Sequence, residues 1–152
     1  MTDVPFRFGL ERVRELRAHD EDRAREELAA SLAHQLRGEA RLRAVGEGVE
    51  HARDAAREGA ASGLSAHDLL AHQRWLQRLE GDRQAAELDL ARREAEVDAR
   101  RQSLAAARQR HEALERLRER RKGEHDLATA RRLGAQLDEM ALVGHLRRSA
   151  RR

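Results

Sequence analysis

The sequence contains no cysteine, one proline and three aromatic residues in 152 positions. The lack of cysteine excludes disulfides, thiolate metal sites and cysteine nucleophiles. The aromatics Phe6, Phe8 and Trp75 are too few for the core of an ordinary globular domain. No apolar run approaches the ~20 residues that span a bilayer, and the N-terminus lacks the apolar stretch of a signal peptide. We therefore expect a cytoplasmic chain whose core is not aromatic.

Alanine, leucine, arginine and glutamate are the abundant residues, and charged residues make up 39% of the chain. This bias is typical of long helices and coiled coils. Disorder is the competing interpretation, because low hydropathy and high charge also favour it. The net charge of only +3, the mixing of opposite charges and the periodic leucines argue against a disordered chain.

The first half predicts one long helix over residues 8–57. Pro5 suits the start of a helix because its fixed φ matches the first turn. Gly38, Gly46 and Gly48 each weaken the helix by roughly 1 kcal/mol relative to alanine. Apolar residues recur at spacings of three and four, which places them on one stripe: Leu10, Val13, Leu16, Ala24, Leu28, Leu32, Leu36, Leu42, Val45, Val49, Ala52 and Ala56.

A turn is predicted over residues 58–65, where Gly59 and Gly63 interrupt the apolar pattern. Ser65 and Asp68 then match a capping box. The Ser65 hydroxyl would accept from the Asp68 N–H, and the Asp68 carboxylate would reach back to the Ser65 N–H.

A second helix is predicted over residues 66–142, followed by a basic tail over residues 143–152. Arg83, Arg93 and Arg100 interrupt its apolar seam with charge. The seam itself follows the a and d positions of a heptad repeat: Leu69, Leu76, Leu90, Val97 and Leu104 on one position, and Leu79, Ala86, Ala107 and Leu114 on the other.

These elements predict an all-α fold, in which two long helices form an antiparallel coiled-coil hairpin and the second helix is longer. Folding back at the turn buries the two stripes against each other, and residues 1–152 form a single domain. From about residue 118 the second helix would extend past the N-terminus. Its apolar residues would then lack an intramolecular partner and offer a binding surface.

No catalytic or cofactor chemistry is predicted. The eight histidines do not show metal-ligand spacing, and the sequence lacks a phosphate-binding glycine loop. A two-helix hairpin also offers no enclosed cleft for catalysis. Basic clusters at residues 118–122 and 147–152 fit contact with an acidic partner, a membrane surface or nucleic acid, or a solvated helix face. No aromatic residues are interleaved with them, so base stacking is not supported.

Four segments resemble the FliJ family, the coiled-coil stalk of the flagellar type III export ATPase complex. Phe6 to Arg17 is similar to the family's opening pattern, in which a phenylalanine precedes spaced Leu, Val and Arg. Glu21 to Leu32 resembles the stretch that follows, and Trp75 to Glu80 resembles an aromatic–aliphatic element after the turn. Leu137-Asp138-Glu139-Met140-Ala141 resembles the family's L-D-E-[IM]-A close. The resemblance covers essentially the whole length.

The resemblance implies a non-catalytic protein of flagellum biogenesis, flagellar protein export by type III secretion, and chemotaxis. It implies binding to the hexameric export ATPase, to the membrane protein of the export gate and to export chaperones, at the cytoplasmic face of the membrane. The implied ATPase end comprises Leu10, Val13, Leu133, Leu137, Asp138, Glu139 and Met140. The implied gate end comprises Trp75 and Leu79, with Arg41 and Val45 opposite, and Trp75 is its expected anchor.

Two other functions remain open from the residues alone. One is a structural coiled coil that associates with itself, and the other is a basic nucleic-acid-binding protein. Self-association would be measured by ultracentrifugation. Nucleic-acid binding would have to survive physiological salt, since weak phosphate contacts fade steeply as salt rises.

Overall fold

The computed structural model describes residues 5–149, except for the Arg148 side chain. It contains two helices, α1 over Glu11–Ala61 and α2 over Ala66–Ser149, and the described range contains no strand. The two helices pack against each other as an antiparallel hairpin, so the predicted all-α fold with a longer second helix is confirmed. Neither helix has, among the described residues, a stretch that could cross a bilayer.

The helix boundaries differ from the predicted ones at both chain ends. The first helix was predicted from residue 8, but the chain is not helical before Glu11, whose N–H donates to the Phe8 carbonyl at 3.1 Å. Gly9 lies in this turn, and glycine disfavours a helix. The second helix was predicted to end at 142, but it continues to Ser149, and the leucine and arginines of this extension favour helix. Residues 150–152 of the predicted basic tail lie outside the described residues.

α1 ends at Ala61, beyond the predicted residue 57, in a Schellman motif. Gly63 has a φ of 78°, and the Leu64 N–H donates to the Gly59 carbonyl at 3.2 Å. This is the 6→1 hydrogen bond that closes such a helix end. The Leu64 side chain lies directly on the Gly59 backbone, where any Cβ would overlap it. The connection is therefore only residues 62–65, shorter than the predicted 58–65.

The start of α2 is capped by Ser65. The Asp68 N–H donates to Ser65 Oγ at 3.3 Å, as the capping box predicts. The second half of the prediction differs, because the Asp68 carboxylate accepts from the Ser65 hydroxyl at 2.6 Å instead of from the Ser65 N–H. The Ser65 hydroxyl thus binds both the backbone N–H and the carboxylate of Asp68 at the first turn of the helix.

The contacts of the chain fall into two compact units, which are described separately. The terminal unit contains the described residues up to Asp20 together with those from Ala107 onward. The turn unit contains Glu21–Ala106. The prediction of one domain over residues 1–152 stays a prediction.

In the turn unit, the contacts between the helices establish the antiparallel pairing. As the residue number rises along α1, the number of its partner falls along α2. Arg100 Nη1 donates to Glu27 at 2.8 Å, Arg93 Nη1 to the His34 carbonyl at 2.7 Å, and Arg53 Nη2 to Glu80 at 2.8 Å.

The core of the turn unit is built from small side chains. Val49 and Val97 are fully buried, and Ala52 and Ala86 nearly so. Two of the predicted seam positions, Ala86 and Val97, are therefore confirmed as core. Gly38 is also buried, because the Arg93 side chain crosses it so closely that a Cβ on Gly38 would lie 2.9 Å from Arg93 Cδ.

In the terminal unit, α1 and α2 are again antiparallel. Arg14 Nη1 lies 2.6 Å from Glu115, and one turn farther on Arg118 Nε lies 3.4 Å from Glu11. Beyond Glu11 the chain continues along α2 as a non-helical segment, Pro5–Leu10, which we call the N-terminal strap. The prediction that α2 is unaccompanied from residue 118 is therefore wrong only as far as Leu133, where the strap lies beside it. Leu137 and Met140, farther on, are exposed as predicted.

Candidate functional site

Large apolar side chains are exposed along the last part of α2, in the terminal unit. Leu133, Leu137 and Met140 are 46–63% exposed, and their spacing of four and three residues places them on one side of the helix. We call these three residues the C-terminal apolar face. Further exposed apolar residues follow on the same helix: Leu142, Val143 and Leu146. Exposed apolar residues in such a series are typical of a surface that binds a partner.

The terminal unit holds all the residues predicted for the ATPase end, although it does not gather them into one cluster. Leu10 lines a shallow depression with Leu117, at the α1 end of the strap. Leu133 lines another depression with Pro5 and Phe6, at the far end of the strap. The remaining predicted residues, Val13, Leu137, Asp138, Glu139 and Met140, are exposed. Their role in binding stays a prediction.

A chain of alternating charges joins α1 to α2 in the terminal unit. Arg14 lies between two carboxylates, at 2.5 Å from Glu11 and 2.6 Å from Glu115. Glu11 also faces Arg118, and Glu115 faces His111 Nε2 at 3.3 Å. The hydrogen bonds from Arg14 lower the pKa of both carboxyl groups and raise the pKa of the Arg14 guanidinium.

This charge chain predicts that the pairing of the terminal unit weakens in acid. A carboxyl group whose pKa is lowered by folding stabilises the folded state above its ordinary pKa of 4.5 and loses that effect as the pH falls through the folded value. We therefore expect Arg14→Gln to destabilise the unit at neutral pH, with the difference from the wild type shrinking below about pH 4.5. Amide hydrogen exchange of the first turns of α1, measured across this range, checks the prediction.

Arg17→Gln is the matched control for this experiment. Arg17 pairs with Asp20 of its own helix at 2.9 Å, so its loss leaves the contact between the helices intact. Exchange should therefore change less in this variant than in Arg14→Gln. A difference between Arg14→Gln and the wild type that stays constant down to pH 3 would contradict the prediction.

In the turn unit, Trp75 is 41% exposed and therefore does not lie in the buried seam. It lines a shallow depression together with Leu64, Asp68 and His72. Leu64 enters this depression because the Schellman motif places it there. Further apolar side chains are exposed nearby on the first turn of α2: Leu69 and Leu70. An aromatic ring beside exposed leucines is suited to anchor a protein partner.

The predicted arrangement around Trp75 is corrected in one respect. Arg41 and Val45 do not lie opposite Trp75 and Leu79. Gly38 lies against Leu90 and Arg93, and Arg53 pairs with Glu80. Leu79 of α2 therefore lies opposite the part of α1 near Arg53, because the short turn fixes which residues of the two helices face each other. Arg41 is exposed and Val45 half-buried, several turns closer to Gly38.

The described part of the chain contains no group of three or more metal-ligating side chains. The depressions on its surface are shallow and open, and they lie beside exposed helix faces. Such surfaces favour contact with another macromolecule over the enclosure of a small molecule.

Several exposed or docked residues were not anticipated from the sequence. The Phe6 ring of the strap lies 5.7 Å from the ring of His125 at an angle of 59°, and Phe8 lines a depression together with Leu117. Phe6 and Phe8, two of the three aromatics in the chain, lie only two residues apart, and this clustering is a signal that the sequence offers. Val143 and Leu146 were assigned to a basic tail, although residues 140–146 are almost entirely apolar.

The fold and surface define a two-helix coiled-coil protein with exposed apolar surfaces in both units. The family model described as "Flagellar FliJ protein" matches residues 6–150. The chain belongs to the FliJ family, and it is a coiled-coil protein related to flagellar export. No match was found among curated proteins or solved structures.

Proposed function

We propose that the chain is a non-catalytic stalk of the flagellar export machinery, which binds and stimulates the hexameric export ATPase. The observation that carries the proposal is the family match over residues 6–150. In this proposal the chain also contacts the export gate and binds export chaperones. It works at the cytoplasmic face of the membrane, which it reaches through these partners.

The exposed apolar residues of the two units support one partner-binding surface in each unit. In the terminal unit, the C-terminal apolar face consists of large side chains that are exposed outside the hairpin seam, where the ATPase could bind them. Asp138 and Glu139 flank this face and would set the orientation of the partner, because rim charges act mainly on orientation and association rate. Leu10 and Val13 extend the same contact on the α1 side.

In the turn unit, Trp75 and Leu79 form the proposed contact with the export gate. Trp75 is exposed and lies beside Leu64, so a partner side chain could enter the depression between them. Arg41 and Val45 lie apart from Trp75 along α1, and in the proposal they contribute a separate part of this contact.

The proposal is tested by mixing the purified chain with the export ATPase of the same organism. We expect a several-fold rise in the rate of ATP hydrolysis and a shift of the ATPase toward its hexamer, measured by a phosphate-release assay and by analytical ultracentrifugation. An unchanged rate and oligomer size, with both proteins shown to be folded, would rule out the ATPase contact. A stable self-assembled species without affinity for the ATPase would favour a structural coiled coil.

A further inference from the structure

The N-terminal strap, Pro5–Leu10, lies on α2 without forming a helix of its own. It carries Phe6 and Phe8, both half-buried. Phe6 contacts His125 ring to ring. The α2 side of the depressions along the strap consists of Leu117, Arg121, Glu124, His125, Asp126, Thr129, Ala130 and Leu133. The strap thus occupies about four turns of the α2 surface.

The strap is held less firmly than α1. Among the described residues, its backbone hydrogen bonds are those in which Glu11 and Arg14 of α1 donate to the Phe8 and Leu10 carbonyls. Its attachment to α2 therefore rests on side-chain contacts, and Leu10 remains 42% exposed. By contrast, α1 is joined to α2 by the ion pairs of Arg14 and Glu11. Segments with few buried contacts open at a small fraction of the global unfolding free energy.

Leu133 belongs both to the surface beneath the strap and to the C-terminal apolar face. It lines a depression with Pro5 and Phe6, and it lies four residues before Leu137 on the same side of the helix. A partner helix that binds Leu137 and Met140 can extend its contact toward Leu133 and His125 only where the strap is absent.

We propose that the strap is a displaceable cover of α2, which competes with the partner for the surface between Leu117 and Leu133. This inference rests on the proposed function, with the export ATPase as the partner. In the free protein the strap is docked through Phe6 and Phe8. Binding of the ATPase to the C-terminal apolar face displaces Pro5–Gly9 from α2, while Leu10 stays at the start of α1, where its carbonyl accepts from the Arg14 N–H. The contact then extends along α2.

The size of the effect follows from the fraction of molecules in which the strap is open. The apparent dissociation constant equals the intrinsic constant divided by the open fraction, so a strap that is docked in about 90% of molecules weakens binding about tenfold. Releasing the strap should therefore tighten binding by up to about tenfold, and holding it down should weaken binding further.

Two variants of the full chain test the proposal. Phe6→Ala with Phe8→Ala releases the strap. Phe6→Cys with His125→Cys allows the strap to be fastened to α2 by a short bis-maleimide crosslinker. The fastening is specific because the natural chain has no cysteine. The same cysteine variant with each thiol capped separately by N-ethylmaleimide is the matched control.

The first measurement needs no partner. Trypsin cleavage after Arg7, followed by mass spectrometry, reports how often the strap leaves α2, because Arg7 lies within it. We expect faster cleavage in Phe6→Ala/Phe8→Ala and slower cleavage in the crosslinked protein than in the capped control. Equal cleavage rates in the wild type and in Phe6→Ala/Phe8→Ala would overturn the proposal, since the aromatic side chains would not be holding the strap.

The second measurement is a titration of each variant with the purified export ATPase. Tighter binding of Phe6→Ala/Phe8→Ala and weaker binding of the crosslinked protein support the proposal. Weaker or unchanged binding of Phe6→Ala/Phe8→Ala overturns it, because the aromatics would then be partner contacts or irrelevant to binding. If the wild type and every variant fail to bind, the proposed function fails and with it the competition, while the cleavage rates still report whether the strap docks.

Discussion

Val97→Asp should separate α1 from α2 in the turn unit. Val97 is fully buried and lies on α2 between Arg93 and Arg100, which both contact α1. The substitution removes an apolar contact and places a carboxylate at a position that is only 1% exposed to solvent. A buried, unpaired charge costs about 3–5 kcal/mol, which is a large part of the stability of an ordinary domain. We expect the thermal midpoint, followed by circular dichroism, to fall by roughly 6–20 °C.

Leu88→Asp is the matched control, because Leu88 lies on the same helix but is 63% exposed. A surface substitution of this kind changes stability by about 0.5 kcal/mol or less. Equal midpoints for the Val97 and Leu88 variants would contradict the position of Val97 in the core.

The fold of this chain was largely predictable because heptad spacing directly encodes which face of a helix is buried. Ala86 and Val97 were assigned to the seam from spacing alone and are buried, whereas Leu16 and Leu36 of the predicted α1 stripe are 55% and 63% exposed. The helix ends were less predictable, since they depend on contacts between distant residues. α1 ends where Leu64 packs on Gly59. It begins only at Glu11, because the chain before it runs along α2 with the Phe6 ring against that of His125.

The second large effect is expected at the C-terminal apolar face. Leu137→Asp with Met140→Asp should abolish most of the stimulation of the export ATPase while leaving the hairpin folded. Both side chains are more than 60% exposed, so the free protein loses no buried contact. In the complex, two carboxylates would replace apolar contacts at the centre of the interface. Central contacts of this kind typically cost 2 kcal/mol or more each, so affinity should fall at least about 100-fold.

The measurement is an ATPase titration with each variant, accompanied by circular dichroism to confirm folding. Leu88→Asp again serves as the control, because it adds a carboxylate at an exposed leucine of the turn unit and should stimulate like the wild type. Undiminished stimulation by the Leu137/Met140 variant would exclude this face as the ATPase contact.

The candidate site was only partly predictable from the sequence. Exposed residues such as Leu137 and Met140 were identifiable because no helix of the chain was left to cover them. The predicted position of Arg41 and Val45 opposite Trp75 was wrong. Pairing across a hairpin depends on the length of the turn, and the predicted turn was longer than the observed one. The role of His125 as the surface under Phe6 could not be anticipated, because a non-helical segment follows no heptad rule.

The four-residue connection after α1 has a consequence for how such a chain can vary in length. Leu64 fits against Gly59 only at this spacing, so an insertion between them would lose the Schellman closure. One residue inserted inside α2 would rotate the side chains beyond it by about 100°. The side chains that now face α1, among them Val97, would then point toward solvent. We therefore expect single-residue insertions and deletions to be tolerated poorly between Gly59 and Leu64 and inside the paired parts of the helices.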